Sequence, residues 1–140
     1  MRPLLALLPF AALACQAPLA TTPRPAPTDV PAGRSEIRLA VGESRRLGDD
    51  FTVHIVGATD SRCPSGVQCV WAGEAKVVVG PSHPLMRFRP DTLTLAPTRA
   101  GQRDSMTVGP FRLRLVALTP APTASAPAPA AQTATFEVRR

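Results

Sequence analysis

The chain is predicted to be all-β: a small antiparallel β-sandwich, or a partly open barrel, of seven or eight strands with one disulfide-closed loop. Three observations lead there. From Ser35 onward apolar and polar residues alternate with period two, the mark of half-buried strands. Turn formers (Gly42, Gly48-Asp49-Asp50, Pro81, Pro90, Gly101, Gly109-Pro110) recur at the spacing of a sandwich or small barrel. Outside the N-terminus no window carries the helical period.

Residues 1–14 read as a lipoprotein signal peptide. Arg2 supplies the positive start, and the apolar stretch Leu4 to Leu13, interrupted by Pro9, is too short for a membrane-spanning helix. Ala12-Leu13-Ala14-Cys15 resembles a bacterial lipobox, with Ala12 where Leu is commoner. Acylation at Cys15 leaves Cys63 and Cys69 as an even pair for an oxidising compartment. Gln16 to Gly33 is rich in Pro, Ala and Thr, and cannot bury enough surface to offset its ordering entropy. Residues 15–33 are therefore the lipidated Cys and a tether, spanning up to roughly 50 Å as extended polyproline. The expected location is the envelope, exported and anchored through Cys15. Gln16 in place of Asp favours the outer membrane or cell surface over the inner membrane.

Residues 34–140 are the expected β-domain. Ile37, Leu39 and Val41 share one face of the first strand, opposite Glu36, Arg38 and Ala40. Phe51, Val53 and Ile55 do the same against Thr52 and His54, and Val77-Val78-Val79 reads as an inner strand. Leu93 with Leu95, and Met106 with Val108, mark two short strands. Phe111, Leu113, Leu115 and Ala117 face one way, Arg112 and Arg114 the other. A low-complexity Pro/Ala loop at 120–132 costs little in closure entropy, and Thr133 to Arg140, which alternates cleanly, is expected to form a last paired strand, the alternative being an unpaired tail. An immunoglobulin domain is excluded by its marks: the chain has no Tyr, and its paired cysteines stand only six apart.

Between the second and third of these strands lies a knot, Asp60 to Ala75. Pro64-Ser65-Gly66 lets the chain reverse between Cys63 and Cys69. A bridge there closes a seven-residue loop and stabilises by roughly 2–2.5 kcal/mol. Trp71, the only Trp, is expected to pack on the domain as the structural anchor of the loop. Asp60 and Glu74 flank the knot as turn and loop hydrogen-bonders.

Asp60-Ser61-Arg62-Cys63-Pro64, then Val67, then Cys69-Val70-Trp71-Ala72-Gly73-Glu74-Ala75 resembles a stretch found in small uncharacterised bacterial secreted proteins and lipoproteins. The likeness is specific over these sixteen residues and loose from Ile37 to Leu118. It implies a small all-β exported domain and carries over no catalytic or binding residues.

The formal net charge is +6, and +5 once Arg2 leaves with the signal. Arg38, Arg112, Arg114 and Arg139 all project outward in the strand reading. Either they form a basic face, or they are a solvated sheet face with Glu36 and Glu137 as cross-strand partners. With five Phe, one Trp and no Tyr there is no stacking platform for nucleic acid. Ser61, His54 and Asp60 could be drawn as a triad, but no nucleophile elbow surrounds them. Two Cys and two His would hold zinc only as thiolates, with His83 reaching back to the knot. No cofactor and no metal are expected. The reading is a non-catalytic envelope lipoprotein that displays a β-domain for binding or a structural role. Its partners are the membrane, through Cys15, and an envelope protein or glycan that meets Asp60, Glu74 or the arginines. The alternative is a hydrolase-like or inhibitory activity centred on the knot.

Overall fold

Alternating side chains fold into two sheets that face each other across one apolar core. The computed structural model describes residues 33–126 and 131–140. The expected signal peptide, the lipidated Cys15, the tether up to residue 32 and the centre of the Pro/Ala loop lie outside the described residues. The strands are β1 (Arg34–Ala40), β2 (Ser44–Leu47), β3 (Phe51–Asp60), β4 (Ala75–Ser82), β5 (Asp91–Thr94), β6 (Ser105–Val108), β7 (Phe111–Thr119) and β8 (Thr133–Arg139). Among the described residues there is no helix.

One sheet has the order β1-β8-β7-β6 and the other β2-β3-β4-β5, every pair antiparallel. They form a sandwich and do not close as a barrel. Phe111, Leu113, Leu115, Phe136 and Val138 from the first sheet meet Val53, Ile55, Val77, Val79 and Leu93 from the second, all buried. The C-terminal strand pairs on both sides, with β1 and with β7, and so stands inside its sheet.

Three details depart from the alternation. The strand β2 has no sequence signature, since Leu47 is the only buried residue in Ser-Arg-Arg-Leu. Val41 is 44% exposed because β1 stops at Ala40 and the chain turns, Gly42 N donating to Ile55 O at 2.9 Å. A bulge between Leu115 and Ala117 changes the phase of β7, so that Leu118 points inward instead of Ala117.

The two ends of the sandwich differ. Arg34 pairs with Arg139 at one end, where Phe51 and Phe111 meet edge to face at 6.2 Å. At the other end Thr133 pairs with Ala40 and Thr119, and the knot between β3 and β4 rises beside them. The chain therefore comes into the domain at the end away from the knot. The ten residues of β3 separate these ends by about 30 Å at strand rise.

Candidate functional site

The knot is built outward from the last pair of the β3–β4 ladder, Asp60 with Ala75. Beyond it Ser61 N donates to Glu74 O at 2.9 Å and Cys63 N to Ala72 O at 2.9 Å, carrying the hairpin pattern into the loop. The Ser61 hydroxyl donates to Glu74 O at 3.0 Å and accepts from Glu74 N at 3.1 Å. Gly73 holds φ +68°, and a Cβ there would stand 1.7 Å from Ser61 O. Only glycine permits this approach. The Cys63–Cys69 disulfide forms as expected, with the Cα atoms 5.8 Å apart.

Trp71 corrects the sequence reading. It is 78% exposed, next to Val70 at 93% and near Val67 at 48%. The expected anchor is not one: a short loop bound at its neck cannot fold its indole back, and Ala75 and Val77 already fill the core beneath. The three apolar side chains instead crown a covalently braced tip. Beside them Ser61, Trp71, Glu74, Thr98 and Arg99 line a shallow concavity of about 410 Å³.

What holds the tip down is polar. The Asp60 side chain, only 2% exposed, accepts from Arg62 Nε at 2.8 Å and from Gln132 Nε2 at 3.0 Å, while Arg62 also donates to Leu118 O at 2.8 Å. This bolts the β3 end to β7 and to the approach of β8, across the two sheets. Burial alone would raise the Asp60 pKa, but the hydrogen bonds and charge of Arg62, with Gln132, outweigh it and lower the value. The same contact raises Arg62 above its ordinary value. Asp60 is thus a buried bolt and not part of a binding surface. The Pro/Ala loop also contributes, since Ser65 N donates to Pro122 O at 3.1 Å and Ala124 N to Ser65 O at 3.3 Å. Nothing in the sequence tied Gln132 or Pro122 to the knot. The signal for Arg62 is its place two residues after an Asp, where its backbone N donates to the Asp60 carboxylate at 3.2 Å as in an Asx turn.

Glu74 stays at the surface. It pairs with Lys76 at 2.5 Å and accepts from Gln102; these bonds, led by Lys76, hold its pKa down against some desolvation.

The residues of the drawn triad are not brought together. His54 lies six residues before Asp60 on β3, roughly 20 Å along the strand. Its ring covers Gly80, where a Cβ would meet it at 2.2 Å. The second histidine, His83, stacks on Phe51 with ring centroids 4.6 Å apart, at the end away from the knot. Among the described residues no group of three or more His, Cys, Asp or Glu is placed to hold a metal ion.

No family model matches the chain, and no curated protein or solved structure is similar to it.

The arginines do share one face, the outer side of the β1-β8-β7 sheet. Arg34, Arg139 and Arg112 are opposite one another across the three strands, and Glu36, Glu137 and Arg114 form the next row. Glu137 accepts from Arg34 and, at 2.5 Å, from Arg139; Arg34 first and then Arg139 lower its pKa against desolvation. Arg38 pairs with Glu36 at 3.0 Å and Arg114 with Asp104 at 2.7 Å. Arg112 reaches only the Ser105 hydroxyl, at 3.2 Å, among the described residues. The face is a solvated ion-pair lattice: Glu137 is a cross-strand partner of Arg34, whereas Glu36 pairs with Arg38 on its own strand.

Proposed function

We propose that the protein is a non-catalytic envelope lipoprotein, anchored through Cys15, that binds a partner through the disulfide-closed tip. The observation that carries this is the exposure of Val67, Val70 and Trp71 on a loop fixed by a bridge, a backbone ladder and a buried ion pair. Exposed apolar residues gathered on a rigid element favour association, because little ordering entropy remains to be lost on binding. Trp is also the side chain most enriched at binding hot spots. The partner is an envelope protein or glycan able to take an indole.

Against hydrolase-like chemistry at the knot stand the engaged polar groups. Asp60 is held by Arg62 and Gln132, the Ser61 hydroxyl is taken by the Glu74 backbone, and His54 lies elsewhere. A general base would need a free lone pair within hydrogen-bond reach of its proton.

Two measurements test the reading. Trp71 is the only Trp and there is no Tyr, so the intrinsic fluorescence belongs to the tip. Titrating envelope fractions should shift that emission, and Trp71→Ala should lose the captured partner while keeping its melting temperature. Equal capture by wild type and Trp71→Ala would sink the tip as the binding element. For the anchor, palmitate labelling should require Cys15, and Cys15→Ser should release the protein from membranes.

A further inference from the structure

Two groups of large apolar residues are exposed near the ends of the sandwich, and they sit in different company. The tip carries Val67, Val70 and Trp71. The β4–β5 loop carries Leu85, 90% exposed, and Met86, 51% exposed, followed at once by Arg87 and Arg89. This loop lies at the end where the chain comes in: Phe51, the first residue of β3, meets its His83 at 4.6 Å and its Phe88 at 6.3 Å. Arg140 reaches over the Phe111 ring at 5.8 Å in the same place.

We propose that this end is a docking surface for an anionic phospholipid bilayer, with Leu85 and Met86 entering the interface and Arg87, Arg89 and Arg140 meeting the phosphates. Three observations favour a lipid surface over other occupants. An exposed Leu-Met pair followed by Arg-Phe-Arg has the composition of an interfacial segment, apolar body and cationic flank together. Among the described residues neither Arg87 nor Arg89 meets a carboxylate. The chain reaches the domain at Gly33 and Arg34, which with Arg139 and Arg140 line a concavity of about 370 Å³ at this end. The chain toward residue 15 therefore leaves the domain from this end.

The opposing charges are Asp49 and Asp50 on the β2–β3 turn, which line a concavity with Arg46 and the loop's own Ser82, His83 and Pro84, and Asp91 just after the loop, which is paired with Arg103. They leave the Leu85–Arg89 loop itself without a negative charge. The surface is cationic where the apolar residues protrude.

The proposal takes its setting from the anchor at Cys15, but the experiment does not depend on it. The mature chain, residues 15–140 with Cys15→Ser, is mixed at low ionic strength with vesicles of phosphatidylglycerol and phosphatidylcholine or of phosphatidylcholine alone. It should sediment with the first and not the second, and added salt should release it. Each arginine near an anionic surface is worth about 1 kcal/mol, or fivefold, so Arg87→Gln with Arg89→Gln should weaken partitioning about 30-fold. Leu85→Asn with Met86→Asn should also weaken it, and Trp71→Ala should not. All these side chains are exposed, so the variants should keep the wild-type melting temperature. Equal binding to both vesicle types, or full binding by either double variant, would overturn the proposal. Loss of binding in Trp71→Ala would instead assign membrane contact to the tip. Binding to heparin with no dependence on Leu85 and Met86 would show a polyanion site and overturn the lipid assignment. Failure of Cys15 labelling would remove the anchor and leave the vesicle result standing.

Discussion

Trp71 and Asp60 show how far the energetics of a site depend on where each side chain ends. With its indole 78% exposed, Trp71 loses little buried surface on truncation. Trp71→Ala should change stability by no more than about 0.5 kcal/mol, as surface substitutions do. Cys63→Ser with Cys69→Ser should cost about 2–2.5 kcal/mol, read from urea unfolding under oxidising conditions. Asp60 behaves in the opposite way. Asp60→Asn strips Arg62 of its carboxylate in a largely buried bolt, and should cost about 2 kcal/mol at neutral pH. The folded Asp60 titrates below its ordinary 3.8, so the unfolded chain binds the proton first as acid is added. Its contribution is complete above about pH 5 and is lost as pH falls through the folded value. The variant should therefore show a shallower loss of stability between about pH 5 and pH 2 than the wild type.

At the scale of elements, most strands were legible because they alternate over the stretch that faces the core, up to the bulges after Ile55 in β3 and Leu115 in β7. In β1, β3 and β7 a polar face meets water and an apolar face meets the opposite sheet, so period two is imposed by burial itself. What escaped has physical reasons. The strand β2 has one buried residue, and a single residue has no period. The bulge in β7 inserts a residue that alternation cannot foresee, and moved the inward place from Ala117 to Leu118. Trp71 was misread because size and apolarity say that a side chain can fill a core, not that a core lacks filling. The clamp from Gln132 to Asp60 joins residues seventy-two apart and left no local trace. The knot's geometry does rest on one readable residue. Gly73→Ala should force the Ser61 carbonyl aside and strain a positive φ, and the ladder that braces the tip would open. The expected cost is about 1–3 kcal/mol, with a measurable change in Trp71 fluorescence polarisation as the indole gains motion. An unchanged melting temperature and polarisation would mean that the tip is not held as described.

On the scale of the whole molecule, the sandwich places its two apolar protrusions near opposite ends, about 30 Å apart along β3. If Cys15 is anchored as proposed and the Leu85 end seats on that bilayer, the tip must face away from it. A lipidated protein in anionic vesicles should then show Trp71 emission that a soluble quencher such as iodide reduces. Brominated acyl chains should leave it untouched, because contact quenching does not reach across the length of the domain. A fluorophore attached to the Leu85 loop should give the reverse pattern, shielded from iodide and quenched by the brominated lipid. The result separates two arrangements that the same anchor permits. If the domain swings freely on its tether, both ends should be quenched by iodide alike and neither should sense the acyl chains. Trp71 quenched by brominated lipid would mean that the tip, and not the basic end, is the part of the domain that meets the membrane.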